Sequence, residues 1–195
     1  MRLCMFHPRE RPMERGWVGR IDSDRVVHLA AQTLQSFFLG GGAAREHAEY
    51  ALDDAALLAP VLHPPAVRIF EADDEFFFAN PAAILSPGAE AHVPRGAEGV
   101  TSLVRPAAVV GAEGVEPPKD RDFALFLGPW VETDFVAQSH NVDFDWERAL
   151  AHAAENTQLR AGDLVAAPAV QRAELDVGPF ELAVEGLGTL AGRLG

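Results

Sequence analysis

Pro117–Asp134 reads PPKDRDFALFLGPWVETD, and the rest of the chain can be placed relative to it. A cluster of mixed charge, Lys119, Asp120, Arg121 and Asp122, runs into an apolar segment. The chain turns at Gly128-Pro129 and leaves as a short strand over Trp130–Thr133. Charges set against a strand and a Gly-Pro corner are one way to hold a polar group at the mouth of a pocket. The plainer reading of the same residues is a solvated charge cluster ahead of a strand.

Outward from this stretch, the bulk properties narrow the class. A chain of 195 residues with 48% hydrophobic and 23% charged content can bury a core as one domain plus a small appendage. The formal net charge of -13 argues against nucleic acid or an anionic membrane as partner, because both need a basic face. The single cysteine, Cys4, excludes an internal disulfide and a cysteine-based zinc site, and its apolar neighbours Leu3, Met5 and Phe6 predict burial. No apolar run approaches the ~18–20 residues of a membrane span. Arg9-Glu10-Arg11 follows the apolar start too soon for a signal peptide, so a cytoplasmic protein is expected.

Taken in order, Arg2–Phe6, Gly16–Ile21 and Arg25–Leu29 read as strands, the last two joined through the turn chemistry of Asp22-Ser23-Asp24. Ala30–Leu39 reads as a short helix stopped by Gly40-Gly41-Gly42, with Ala43–Tyr50 continuing helically. Residues 1–60 therefore form a hairpin-plus-helix unit, and the prolines of Val61–Pro65 make a linker into 61–195. Val67–Phe70 and Phe76–Phe78 flank an acidic turn, Glu71–Glu75. Val100–Val110 is an extended stretch interrupted at Arg105-Pro106. Asp143–Asn156 is the clearest helix, with Asp143 or Asp145 as N-cap and Trp146, Leu150 and Ala153 or Ala154 at helical spacing. Leu164–Ala167, Phe180–Glu185 and Gly188–Ala191 are short strands. Many short strands and few helices predict an α+β, mostly β fold.

Several of these pieces resemble, in the correct order, segments of the fumarylacetoacetate hydrolase (FAH) family. Pro117–Asp134 is similar to its K-x-F and L-G-P-W segment. Phe76–Pro94 resembles its aromatic strand and N-P turn, and Ala107–Gly114 its E-x-E-x-A-x-V-I-G strand. Thr157–Ala167 resembles L-x-P-G-D-V, and Leu182–Arg193 resembles V-E-G-I-G-x-L-x-N. The resemblance spans nearly all of the chain. It implies a small N-terminal hairpin domain, a β-roll catalytic-type domain in a shortened, divergent form, and a homodimer. The family cleaves carbon–carbon bonds in, or decarboxylates, small diketo acids, using Mg²⁺ or Mn²⁺ held by carboxylate oxygens.

Carried over residue by residue, the site departs from the family. The two Glu of E-x-E fall on Leu103 and Arg105. The segment bearing a further ligand is reduced to Val115–Pro118. Ile69–Glu75 stands where a longer, His-bearing helix is expected, the Lys of K-x-F falls on Arg121, and the late Gly/Thr turn falls on Ala166–Val170. No metal or other cofactor is therefore expected, and no residue is assigned as catalytic. Glu71, Asp73, Asp74 and Glu75 lack the spacing of a calcium loop and read as a solvated turn. None of the seven histidines has zincin spacing, and His28 and His152 read as half-buried residues.

Three functional readings stay open. In the first, the chain is a binding or structural protein that has lost the metal reaction. In the second, it binds a small anionic metabolite without metal. Arg105 would then stand in for the cation, Lys119, Arg121 and Asn80 would line the pocket, and Asp74 or Asp122 would accept a proton. The plain alternative for Arg105 is a side chain pointing to solvent. In the third, the chain is an active hydrolase or decarboxylase acting on a C–C bond of a small diketo or oxo acid.

Overall fold

The computed structural model describes residues 1–93, 100–109, 125, 126, 128, 131, 132, 144–155, 157, 159–184 and 187–195. Strands dominate, so the fold is α+β and mostly β. β1 (Arg2–Pro8), β2 (Trp17–Asp22) and β3 (Arg25–Leu29) are antiparallel neighbours. The pairing of Asp22 with Arg25 leaves a two-residue loop, Ser23-Asp24, in which Ser23 takes φ 57°. Alternation along β1 sorts its side chains. Leu3 and Met5 join Val18, Val27 and Leu29 on one face, and Cys4 and Phe6 join Ile21 and Val26 on the other. α1 (Leu34–Leu39) covers the first face with Leu34 and Phe37. It starts later than the expected Ala30 because Thr33 caps it, its hydroxyl accepting from the Ser36 amide.

The expected helical continuation over Ala43–Tyr50 is instead a strand, β4 (Glu46–Ala51). It pairs with the open edge of β3, with a register shift between Val27 and Leu29. Helix propensity in Arg-Glu-His-Ala-Glu loses here to the unpaired backbone groups of β3. Past a 3₁₀ turn at Leu52–Asp54, β5 (Ala55–Leu58) returns along β1.

β6 (Val67–Ala72) and β7 (Glu75–Ala79) form the hairpin around the acidic turn. β8 (Ile84–Leu85), β9 (Glu90–Ala91), β10 (Val100–Val104) and β11 (Ala107–Val109) follow. Beyond Gly111, the 117–134 stretch is described only at β12 (Leu125–Phe126), which runs parallel to β8, at Gly128, and at β13 (Val131–Glu132). β13 pairs with Arg2 and Leu3 of β1, so Val131–Glu132 joins the first sheet, while Pro129 and Trp130 of the expected corner lie outside the described residues. α2 (Trp146–Ala153) is capped by Asp145, whose carboxylate accepts from the Arg148 amide at 3.0 Å.

β14 (Leu164–Ala166) completes a four-stranded sheet in the order β11-β14-β6-β7. One face carries Phe70, Val165 and Ala167 against Ala149 and Ala153 of α2. The other carries Val67, Ile69, Leu164 and Ala166. β15 (Gln171–Leu175), which the sequence did not suggest, pairs with β10. β16 (Gly178–Val184) and β17 (Gly188–Leu194) close the chain as a hairpin, with β17 parallel to β9. Among the described residues no helix is long and apolar enough to cross a membrane.

Candidate functional site

Among the described residues, three of the segments at which the sequence departs from the family, Leu103–Arg105, Phe70–Glu71 and Ala167–Val170, meet at one corner. β10 pairs with β15 and β11 pairs with β14, so the chain passes from one sheet to another at Arg105-Pro106. Proline supplies no N–H for a ladder, which makes it suited to that crossing. The returning chain crosses back beside it over Ala167–Val170. The Ala167 amide donates to the Pro106 carbonyl at 2.8 Å, and the Val170 amide to the Val104 carbonyl at 2.9 Å. Leu103–Arg105 and Ala166–Val170 are thus neighbours.

Arg105 does not point to solvent. Its side chain is 9% exposed. One terminal nitrogen donates to the Phe70 carbonyl at 2.7 Å and to the Ala167 carbonyl at 3.2 Å. The other donates to Glu71 Oε1 at 2.8 Å. The guanidinium therefore ties the sheet-crossing corner to the end of β6 and to the loop after β14. Fixed positive charge meeting carbonyl dipoles and one carboxylate is a strong, charge-assisted arrangement.

The oxygens around Arg105 are of the type a hard cation takes, but a cation already stands among them. Leu103, the other position matched to a ligand, offers no donor and is 44% exposed. These two residues do not fit a divalent metal. Among the described residues no group of three or more His, Cys, Asp or Glu could hold one either.

The other candidates are dispersed or lie outside the described residues. Lys119, Arg121 and Asp122 belong to the undescribed part of the chain. Asn80 caps the 3₁₀ turn Pro81–Ala83, its Oδ1 accepting from the Ala82 amide at 2.9 Å. Asp74 pairs with Arg148 of α2, and Asp73 lies 3.7 Å from the same guanidinium. Among the described residues no hydrogen bond or ion pair joins Arg105, Asn80 and Asp74 to one another. The acidic turn is largely exposed, as expected of a solvated turn, and its carboxylates also meet two arginines: Glu71 pairs with Arg105, and Asp73 and Asp74 pair with Arg148 of α2. A run of carboxylates in sequence does not show which arginine each one meets.

A second arginine went unnoticed in the sequence. Arg68 of β6 is fully buried and donates to Asp163 Oδ2 at 3.0 Å; its guanidinium lies 5.2 Å from the centre of the Phe78 ring across the hairpin. Asp163 also accepts from the Arg160 amide at 3.0 Å, closing the turn Arg160–Asp163 that begins β14. Two charges separated by 95 positions are buried together only because β6 and β14 are adjacent.

No protein-family model matches the chain, and neither does any curated protein. Solved structures do match. The 5-carboxymethyl-2-hydroxymuconate delta-isomerase of Mycobacterium smegmatis is similar with a TM-score of 0.73 and 18% identity, over 100% of this chain and 99% of its own. Maleylpyruvate hydrolase from Sphingobium sp. SYK-6 is similar at 0.72 and 16% identity, over 100% and 99%. Another structure of that hydrolase contains manganese(II) ion and pyruvate. The 2-hydroxyhepta-2,4-diene-1,7-dioate isomerase of Mycobacterium marinum is similar at 0.70 and 19% identity, over 100% and 98%. The chain has the FAH-like fold that these isomerases and hydrolases share.

Proposed function

We propose that this chain is an FAH-fold protein that works without a divalent metal, as a binding or structural protein rather than a carbon–carbon hydrolase. The observation that carries the reading is the guanidinium of Arg105, 9% exposed and held by the Phe70 and Ala167 carbonyls and by Glu71. Metal-assisted cleavage needs a Lewis acid in an oxygen cage and a positioned base. At this corner a cation belonging to the protein itself takes up the oxygens. A homodimer belongs to the same reading, because the apolar side chains of Leu103, Val170 and Val177 are exposed.

Arg105 also supports a narrower version, in which a small carboxylic acid displaces Glu71 from the outward edge of the guanidinium. Glu71 is half-exposed, and exposed ion pairs are worth only about 0–1 kcal/mol, so exchange would cost little.

Thermal-shift titrations with Mg²⁺, Mn²⁺, oxalate and pyruvate test both. A ligand at a hundredfold excess over its dissociation constant stabilises the native state by about 2.7 kcal/mol, which is easily read. No shift with either metal is the expected result. Saturable stabilisation by millimolar Mn²⁺ or Mg²⁺ would overturn the reading and restore the hydrolase. Stabilisation by oxalate or pyruvate that disappears in Arg105→Gln would assign the anion site. If the anions bind Arg105→Gln as well as the native chain, Arg105 serves only as a cross-link.

A further inference from the structure

A second cluster of titratable rings lies away from the sheet-crossing corner, on the first sheet. His28 of β3 stacks on Trp17 of β2, with ring centres 4.7 Å apart and planes 13° from parallel. On its other side the His47 ring of β4 sits 5.0 Å away. Phe6 of β1 meets His28 edge-on at 6.4 Å, and Tyr50 of β4 lies 5.9 Å from Trp17. Trp17, His28 and His47 therefore form a three-ring ladder running across three strands. It ends at β4, the outermost strand of the order β13-β1-β2-β3-β4.

The ladder crosses the pair β3–β4 where their pairing is irregular. The register shifts between Val27 and Leu29, so His28 lies at the bulge. Bulges interrupt the backbone ladder, so side-chain contacts carry more of the pairing there. Neither imidazole has a hydrogen-bond partner among the described residues, and no ion pair there neutralises one.

The charged groups nearby are already committed. On β4, Glu46 pairs with Arg20 of β2 at 2.6 Å, and Glu49 pairs with Arg25 of β3 at 2.7 Å. Arg20 is also paired with Asp22. From β1 the ladder's face receives Phe6 and the neutral, buried thiol of Cys4; from β2 it receives Trp17, and from β4 Tyr50 and His47 itself. Among the described residues no ion pair joins a carboxylate to His28 or His47, and Asp22, Glu46 and Glu49 are paired with Arg20 and Arg25. Burial and the nearby His47 both hold His28 below the usual histidine range.

The geometry points to a proton-operated latch: with His28 and His47 neutral, ring stacking holds β4 on the edge of the first sheet, and protonating both rings drives β4 away from β3. Two imidazolium charges 5.0 Å apart repel, and stacking on Trp17 can stabilise only one of them. Release of β4 would uncover Val26, with which Tyr50 is paired, and Phe6, on which the Tyr50 ring rests at 5.5 Å.

The test uses the full chain. Amide hydrogen exchange of β3 and β4 is compared at pH 7.5 and 5.5, corrected for intrinsic exchange, in the native protein and in His47→Gln. His47 is exposed, so its replacement is expected to leave the fold intact. The expected result is a loss of protection at pH 5.5 of roughly tenfold in β4, absent from β1 and β2 and clearly smaller in His47→Gln, which removes the neighbouring charge but leaves His28 half-buried. In parallel, the imidazole titration of His28 by NMR should move up towards the ordinary value in His47→Gln. Three outcomes overturn the latch: β4 keeping its protection at pH 5.5, loosening equally in His47→Gln, or loosening only below about pH 4.5, where carboxyl groups rather than imidazoles ordinarily titrate.

Discussion

Arg105 bonds to three acceptors on two segments, the end of β6 and the loop after β14, and two of them, the Phe70 and Ala167 carbonyls, receive the same nitrogen. Arg105→Ala would leave both carbonyls without that donor, and the expected cost is about 2–3 kcal/mol by urea denaturation. Arg105→Lys should recover only part of this, because an ammonium lacks the fork that spans two directions. Cys4 shows how burial sets chemistry at a single residue. Desolvation pushes its thiol up to about 12, so the native thiol is neutral at physiological pH. A native thiol reagent assay at pH 8 should find no reaction until denaturant unfolds the chain. The sign for stability follows: a raised native value favours folding below the ordinary thiol pKa. That contribution is lost as the pH rises from about 9 towards 12. Alkaline destabilisation over that range should shrink in Cys4→Ala. The acceptors of Arg105 were not legible beforehand, since two of them are backbone carbonyls, which have no identity in a residue string, and the third is one of several carboxylates in the acidic turn. The burial of Cys4 was legible, because it sits inside an apolar strand.

At the scale of elements, the N-terminal sheet is thin where β1, β2 and β3 meet. Gly19 faces Val26, Phe6 and Cys4. An added Cβ would lie 2.6 Å from Val26 Cγ1, 2.9 Å from Phe6 Cδ1 and 3.0 Å from Cys4 Sγ. Gly19→Ala is therefore expected to destabilise by about 1–3 kcal/mol through overpacking, measured as a lower midpoint in urea with an unchanged slope. Gly16 is restricted differently: its φ of +62° and the nearby Phe6 carbonyl both exclude a side chain. α2 was readable because its N-cap and its apolar spacing are local properties; Asp145 caps it and Ala149 and Ala153 face the core. β4 and β15 were not readable. Glu46–Ala51 and Gln171–Leu175 have polar, helix-tolerant residues, and both are strands because β3 and β10 present unpaired backbone beside them.

For the whole molecule, the strands within residues 1–60 are tied to later residues by strand pairing as well as by the chain. β13 lies more than a hundred positions from β1, yet it pairs with Arg2 and Leu3, on the same edge of β1 that β5 uses further along. Melting the first sheet would free β13, and losing β13 would bare an edge of that sheet. The expected behaviour is one cooperative transition, with far-ultraviolet and near-ultraviolet circular dichroism tracing the same urea curve. Two separated transitions would show that the β13 pairing does not couple the halves. The formal net charge of -13 adds a general repulsion, so the midpoint should rise moderately between low salt and 0.15 M as the charges are screened.

By itself the sequence determined the class of fold, the first hairpin, the helix with an aspartate cap at Asp143 or Asp145, the break at Arg105-Pro106 and the order of segments that resembles the FAH family. All of these rest on local chemistry: turn residues, capping, alternation and proline geometry. Only the tertiary structure decided that Arg105 turns inward to the Phe70 and Ala167 carbonyls and to Glu71, and that Arg68 is buried with Asp163. It alone decided that the acidic turn grips α2 and that His28 lies between Trp17 and His47. Each of these depends on which strands lie side by side, and strand adjacency is fixed by long-range pairing that no short stretch of sequence encodes.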